Sequence, residues 1–314
     1  MIGAILSGGY GKRLKPLTDE IPKSLIEIKE KYTIMDRQLY DFQNAGVKEI
    51  YILSGHLGEK IEERYGKTHL GMNFHYLKED KPMGTLYSVR NLMKNCPDQD
   101  ILLRNGDTIT DLNFNEFIKF SENSPFQMVM FIYRMKSPFG IVETLGDQVT
   151  SFKEKPFLRY FINAGVYYIK STARDIFFAE YLNKDIETTV FPELARKKLI
   201  GAYREDTFWM GIDSEKDLET VRNQYSGRVD YPWGYIKNAF SGDNISIVSY
   251  HLKENSKMSL ELKEGSVMRF AEGEGQIHSQ KDVIYAKDTV FDKPGKLEIL
   301  CHKTTEFEII SNSK

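Results

Sequence analysis

Three observations predict an α/β fold with a smaller all-β part behind it. Over residues 1–228, short apolar runs alternate with segments of helical period, the rhythm of βαβ units on a mostly parallel twisted sheet. A loop rich in glycine and cations follows the first of those runs directly. After Tyr225 helical periodicity fades, and residues 236–314 read as short strands of a small barrel-like domain. A chain of 314 residues, 41% hydrophobic and 28% charged, has the apolar content for both parts.

The elements follow in order. Ile2–Ser7 is a buried strand, and residues 33–44 have helical spacing with Met35, Leu39 and Phe42 on one side. Glu49–Ser54 is the next strand, Gly58–Tyr65 a polar helix, residues 72–77 a strand and 85–94 a helix. The strand DILLR, residues 100–104, ends at Asn105-Gly106-Asp107. Residues 113–120 read as a helix and QMVMFIY, 127–133, as a strong strand. IVETLGDQVTSFKEK then reads as a hairpin turning at Leu145-Gly146-Asp147, and 162–170 as a strand. Residues 187–198 and 214–225 are expected helices, and SGRVDYPWGY, rich in turn formers, an expected linker. Beyond it ISIVSYHL, SVMRFAE, VIYA and LEILCHK are strand-like, without the hexapeptide period of a left-handed β-helix.

Composition narrows the function classes. A formal net charge of -2 argues against a protein dominated by nucleic-acid contacts, so any anion site must be built locally. No apolar run approaches the roughly 18 residues of a membrane span, and no signal-peptide pattern opens the chain. The two cysteines, Cys96 and Cys301, are too few and too far apart for a secreted disulfide framework. The expected location is the cytoplasm.

The opening loop, SGGYGKRLKPLTDEIPK, has the composition of an anion cradle. Glycines behind a strand allow tight turns that aim backbone N–H groups at a ligand. Two phosphate motifs fail on it. A dinucleotide fingerprint needs glycine where Leu14 stands, and a Walker A loop needs glycine at Leu6 and Ser or Thr at Arg13. What remains is a loop with two cations, Arg13 and Lys23, stiffened by Pro16 and Pro22, suited to wrapping a polyphosphate. A basic surface turn is the plainer alternative.

GGYGKRLKPLTDEIPKSL resembles the signature loop of the sugar-1-phosphate nucleotidylyltransferases, the NDP-sugar pyrophosphorylases. The resemblance runs from Met1 to about Tyr225, because further blocks appear in the family's order: EDKPMGT, NGD, FKEKP with NAGVY, and WMGID. It implies a Rossmann-like sheet of the nucleotide-diphospho-sugar transferase type. It also implies a reaction in which an NTP and a sugar 1-phosphate give an NDP-sugar and pyrophosphate. Arg13 and Lys23 are then the catalytic cations, on either side of the α-phosphorus. Ser7, Gly8, Gly9, Gly11, Glu79, Gly84 and Thr85 face the nucleotide. Gly140, Glu154, Lys155, Asn163 and Gly165 face the sugar phosphate. Asp107 and Asp213 hold Mg²⁺, although Asn-Gly-Asp is also a common turn and Asp213 or Ser214 could cap the following helix. Many members read W-x-D-x-G where this chain reads Trp209-Met210-Gly211-Ile212-Asp213, an order closer to the cytidylyltransferase branch. Lys12 stands where Thr is usual and Ser24 where Pro is common.

HLGEKIEERYG and NGDT look like the mannose and heptose guanylyltransferase branch, which favours GTP and a manno-configured sugar 1-phosphate. Thymidylyl, cytidylyl or uridylyl transfer to glucose 1-phosphate is the alternative reading. So is a catalytically inactive regulatory homologue, or a phosphocholine-type cytidylyltransferase. YPWGY and SKMSLEL resemble the cupin-like domain of type II mannose-6-phosphate isomerases and their fused guanylyltransferases. His251, His278 and His302 lack the spacing of a cupin metal cluster, so the tail is expected to be metal-free and to serve dimerisation or gating. A homo-oligomer with no nucleic-acid or membrane partner is expected.

Overall fold

The computed structural model describes residues 1–29, 31–225, 228–241, 245–262, 264–272, 275–278, 283–285, 289–291 and 295–312. Ser226 and Gly227 of the expected linker lie outside the described residues. The chain divides into two units, Met1–Arg222 and Asn223–Lys314.

The first unit begins with β1 (Ile2–Ser7), α1 (Leu17–Glu20), β2 (Glu27–Lys29), β3 (Tyr32–Thr33) and α2 (Ile34–Asn44). It continues through β4 (Glu49–Ser54), α3 (Gly58–Tyr65), β5 (Thr68–His69), β6 (Met72–Lys78) and α4 (Thr85–Asn95). Next come β7 (Ile101–Asn105), β8 (Thr108–Thr110), α5 (Phe114–Asn123), β9 (Met128–Lys136), β10 (Ile141–Leu145) and β11 (Gln148–Lys153). β12 (Phe157–Ile169), α6 (Arg174–Phe178), α7 (Val190–Arg196), β13 (Ile200–Tyr203), β14 (Trp209–Gly211) and α8 (Glu215–Gln224) follow.

Eight strands form one sheet in the order β13-β9-β12-β7-β1-β4-β6-β5. β7, β1, β4 and β6 are parallel neighbours, and β13 is parallel to β9. β12 is inserted antiparallel between β7 and β9. β1 reads as an unbroken apolar run because it is covered on both faces. Its alternate residues serve opposite cores: Ile5 packs with Phe42, Ile50 and Phe117, whereas Ala4 packs with Leu53, Val89 and Leu103. α2 starts at a capping box in which Thr33 Oγ1 accepts from the Asp36 amide at 3.1 Å and Asp36 accepts from the Thr33 amide at 2.8 Å.

Several elements depart from the sequence expectation, which does not include α1 or the short strands β2, β3, β5, β8, β13 and β14. β12 extends back to Phe157, because β9 is long enough to pair with it there, Phe157 opposite Lys136. The helix expected from Glu187 starts at Val190, since residues 186–188 tighten into a 3₁₀ turn whose Ile186 amide donates to Thr85 Oγ1 at 2.9 Å. α6 had no helical signal in the sequence reading. The hairpin turns where expected, with Leu145 opposite Gln148 and Gly146 at φ +57°.

The second unit comprises β15 (Val229–Tyr231), β16 (Gly234–Ser241), β17 (Ile245–Leu252), β18 (Lys257–Leu262) and β19 (Ser266–Glu272). β20 (Gly275–His278), β21 (Val283–Tyr285), β22 (Thr289–Phe291), β23 (Gly295–Cys301) and β24 (Thr305–Asn312) complete it. Two antiparallel sheets result, β15-β16-β17-β24-β19-β22 and β18-β23-β20-β21. They share one apolar cluster, to which Leu252, Met268 and Phe307 come from one sheet and Met258, Leu297 and Ile299 from the other. Cys96 and Cys301 are buried free thiols. Among the described residues no helix is long and apolar enough to cross a membrane.

One ionic group in the first unit is wholly buried. Arg37 and Arg104 are 0% exposed and both pair with the Asp41 carboxylate, itself 2% exposed. Arg37 also donates to the Thr110 carbonyl at 2.9 Å, tying α2 to β8. Two cations share this acid, so removing it is expensive. Asp41→Ala is expected to lower stability by about 3–5 kcal/mol in urea unfolding, since it strands buried charge.

Candidate active site

The carboxyl ends of β1 and β7 meet here, where open α/β sheets place their ligands. Leu6 is paired with Asn105, and the Gly106 amide donates to the Leu6 carbonyl at 2.9 Å. A Cβ at Gly106 would stand 2.6 Å from that carbonyl oxygen, so only glycine allows this approach. The loop after β1 is held by its own residues. Gly11 takes φ +59°, and Thr18 Oγ1 donates to its carbonyl at 2.9 Å. Gly9 has nothing within 4 Å of where a Cβ would be, and Gly8 nothing closer than 3.7 Å, so their backbone is open to a ligand. Ser7 and Ser24 join hydroxyls at 2.7 Å, tying the loop's start to the Lys23 turn.

Lys23 is the hub. Its Nζ donates to Asp107 Oδ2 at 2.7 Å and to Asp213 Oδ1 at 2.8 Å. Arg13 reaches the same Asp213 oxygen at 3.0 Å. The four residues expected to act on phosphate or metal therefore form one cluster. Lys23 is 15% exposed against 73% for Arg13, so the lysine is the enclosed member and the arginine the one open to solvent. Burial pushes the Asp213 carboxyl up, but Lys23 and Arg13 together outweigh it and hold it below the usual carboxylate range.

Backbone pairing carries Asp213 to Asp107. β14 pairs antiparallel with β8, Gly211 opposite Thr108, and the Ile212 amide continues the ladder to the Asp107 carbonyl at 2.9 Å. Trp209 Nε1 donates to the Ala164 carbonyl at 2.8 Å and anchors the other end of the strand. Helix capping falls to Ser214, whose Oγ accepts from the Asp217 amide at 3.3 Å while Asp217 Oδ2 accepts from the Ser214 amide at 2.9 Å. The Asp213 side chain is left for the cluster.

A cleft of about 300 Å³ opens beside this cluster, lined by Ser7, Gly8, Gly9, Lys23, Glu79, Gly84, Thr85 and Asp107 among others. Its far side is acidic. Glu79 Oε2 accepts from the Met83 amide at 3.2 Å, and Glu79 Oε1 accepts a very short bond from Ser88 Oγ. Gly84, at φ +89°, precedes α4, and a Cβ there would lie 2.4 Å from the Lys184 carbonyl oxygen. Thr85 is the first residue of α4 and does not cap it. Its amide donates to Asp185 Oδ1 at 3.2 Å and its hydroxyl to Glu187 Oε2 at 3.1 Å.

The sugar-side residues divide. Gly165, at φ +72°, packs against Asn105, which lines the cleft, and its amide donates to Asn163 Oδ1 at 3.0 Å. Asn163 Nδ2 in turn donates to Tyr167 Oη at 2.7 Å. Gly140, Glu154 and Lys155 form a separate group on the β10–β11 hairpin, outside the residues that line the cleft. There Glu154 and Lys155 pair at 3.5 Å, and a Cβ on Gly140 would meet Phe152 at 2.6 Å. Sequence reasoning missed Ser88, Asp185 and Glu187 in the cleft. Ser88 carried a signal, one helical turn from Thr85. Asp185 and Glu187 carried none, because only the folded chain brings that segment to α4.

The family model described as nucleotidyl transferase matches residues 2–227. The chain is 30% identical over 258 residues to the mannose-1-phosphate guanylyltransferase catalytic subunit beta of Danio rerio, covering 76% of this chain and 70% of that one. It is 31% identical over 235 residues to a mannose-1-phosphate guanyltransferase of Yarrowia lipolytica, covering 69% and 62%. In fold it is similar to a putative glucose-1-phosphate thymidylyltransferase from Bacillus anthracis solved with a sucrose. That match has a TM-score of 0.60 and 18% identity, covering 74% of this chain and 97% of the other. HddC from Yersinia pseudotuberculosis, solved with GMP-PN, aligns with a TM-score of 0.55 at 21% identity, covering 72% and 100%.

The Lys23 cluster sets a pH-dependent contribution to stability. A carboxyl held below its unfolded value stabilises the fold above that value, and the contribution is lost as pH falls through the native one. Lys23→Met is therefore expected to lower the melting temperature more at about pH 7 than at about pH 3, where the contribution of the paired Asp213 carboxylate fades. Thermal scans of both proteins at the two pH values measure the difference; an equal loss at both would exclude this coupling.

Proposed function

The chain belongs to the nucleotidyl transferase family, and from that premise we propose that it transfers a guanylyl group from GTP to mannose 1-phosphate or a similar manno-configured sugar 1-phosphate. The observation that carries the proposal is the cluster of Lys23, Arg13, Asp107 and Asp213 beside a cleft with an acidic far side. In the reaction a phosphate oxygen of the sugar phosphate bonds to the α-phosphorus in line, the bond from that phosphorus to the bridging oxygen breaks, and pyrophosphate leaves with the electron pair. Positioning and charge neutralisation do most of such catalysis. Lys23 serves the α-phosphate or the incoming phosphate, and exposed Arg13 swings onto the departing pyrophosphate.

Asp107 and Asp213 suit a divalent cation. Mg²⁺ takes one or two protein carboxylates and completes its shell with phosphate oxygens and water, which is the donor set two carboxylates at a phosphate site provide. Bound there, Mg²⁺ would neutralise phosphate charge. Lys23 sits on both carboxylates and would release them to a bound cation, keeping its own charge for the phosphates. The reading includes a cytoplasmic, homo-oligomeric enzyme.

Glu79 supports the choice of base. Guanine presents N1–H and the N2 amino group as adjacent donors, and a carboxylate can accept both. Uracil and thymine present one N–H between two carbonyls. Ser88 and the Met83 amide each use one lone pair of Glu79 and fix its plane, leaving acceptor capacity for the base. Relatives named mannose-1-phosphate guanylyltransferase support the same choice.

Each NTP paired with mannose, heptose, glucose and N-acetylglucosamine 1-phosphates, with pyrophosphate release as readout, tests the reading. GTP with a manno-configured sugar phosphate is expected to be fastest, and EDTA to abolish turnover. No release from any pair would support an inactive homologue instead. Arg13→Ala is expected to lower kcat by about 10²-fold or more with little change in the KM for GTP, as for a group that acts on transition-state charge. Glu79→Gln is expected to cost GTP about 10-fold or more in kcat/KM and to narrow the preference for GTP over ITP, which lacks the N2 amino group. An unchanged GTP/ITP ratio would remove Glu79 from base recognition.

A further inference from the structure

The turn that carries Asp107 is held from beneath by a side chain outside the cluster described so far. Gln38 lies on α2 and is 0% exposed. Its Nε2 donates to two backbone carbonyls, Asn105 at 2.8 Å and Thr108 at 2.9 Å. These are the last residue of β7 and the first of β8, so the two bonds bracket Gly106-Asp107. The sequence hides this role: Gln38 sits in IMDRQLYDF, beside Leu39 on a helix that buries most of its residues.

We propose that Gln38 is a positioning residue for the nucleotidyl-transfer reaction, setting where the Asp107 carboxylate points; this rests on the function proposed above. Besides the Thr108 hydroxyl, which donates to the Asn105 carbonyl at 3.2 Å, and the Lys23 ammonium on the Asp107 carboxylate at 2.7 Å, four constraints act on the backbone of the turn. β1 holds the Gly106 amide, the Ile212 amide just past β14 holds the Asp107 carbonyl, and Gln38 holds the carbonyls on either side. The first two come from backbone pairing and survive most substitutions. The last two depend on a single amide group. An amide NH₂ has two donors, and here both are spent on carbonyls at opposite ends of one turn. No other common side chain of this size supplies that pair. With Gln38 gone, the strand ends remain paired to β1 and β14, but the turn between them can tilt, and the Asp107 side chain tilts with it. The loss falls on geometry at the reacting phosphate, where small displacements matter most.

Three variants test this. Gln38→Met keeps the volume and removes both donors. Gln38→Glu keeps the shape but replaces the amide donors with a carboxyl group. Gln43→Met is the control, since Gln43 lies on the same helix and donates to a carbonyl, Leu70 at 2.8 Å, away from the site. Steady-state kinetics with GTP and mannose 1-phosphate are expected to show kcat reduced by about tenfold or more in Gln38→Met and Gln38→Glu, with the KM for GTP within about threefold. The Mg²⁺ concentration for half-maximal rate should rise in both. Gln43→Met should retain the wild-type kcat even if its melting temperature falls as far. Hydrogen exchange by mass spectrometry reads the turn without any substrate, and peptides spanning residues 105–110 should exchange faster in Gln38→Met but not in Gln43→Met. Wild-type kcat and Mg²⁺ dependence in folded Gln38→Met would overturn the proposal, as would unchanged exchange over residues 105–110. A wild-type protein without activity on any substrate pair would defeat the functional reading instead, and exchange would still report whether Gln38 holds the turn.

Discussion

The first unit converges on one ammonium group shared by two carboxylates. Lys23 stands between Asp107 and Asp213, which are contributed by segments more than a hundred residues apart in the chain. Two carboxylates brought together in partly buried surroundings repel each other unless a cation lies between them. That requirement explains the surrounding architecture. The loop after β1 must return to place Lys23, so its start is fastened by Ser7 to Ser24 and its bend by Thr18 to Gly11. β14 must pair with β8 to deliver Asp213. β12 separates the parallel core from β9 and presents Gly165 against Asn105.

Charge is also divided across the cleft. On one side Lys23 and Arg13 are paired with Asp107 and Asp213, and on the other the acids Glu79, Asp185 and Glu187 gather around the first turn of α4. Two of these acids also fasten the scaffold. Asp185 and Glu187 take bonds from Thr85, which fastens the segment before α7 to α4. A formal charge of -2 for the whole chain conceals this local separation. Net charge excludes broad partner classes, but it says little about a site assembled from opposite charges in neighbouring corners.

Much of the first unit was legible because its signals are local. The apolar runs at β1, β4 and β7 are continuous because both faces are covered, and the Gly146 turn is a short-range feature. The cluster residues were legible through motif blocks, since the phosphate chemistry needs cations and carboxylates whatever the fold. What escaped detection depends on tertiary contact. α7 begins late because Thr85, a hundred positions earlier, captures Ile186. Gln38 looks like an ordinary helix residue until the turn it supports is seen above it. Gly140, Glu154 and Lys155, at the base of the β10–β11 hairpin, lie outside the cleft lining, as do Gly11, Arg13 and Asp213.

The pairing of β14 with β8 has a further consequence. Asp213 lies two residues past β14, and its place is set by that strand and by the Ile212 amide that prolongs the pairing; along a strand each residue advances the chain by about 3.3 Å and turns the side chain to the opposite face. Removing or adding one residue between Trp209 and Asp213 would therefore rotate the carboxylate away from Lys23 rather than merely displace it. The segment is thereby locked in length. The β10–β11 hairpin, which ends in a free turn at Gly146, is not bound in this way. Natural or engineered variation in chain length should collect at the hairpin tip and be absent from the five residues that begin at Trp209.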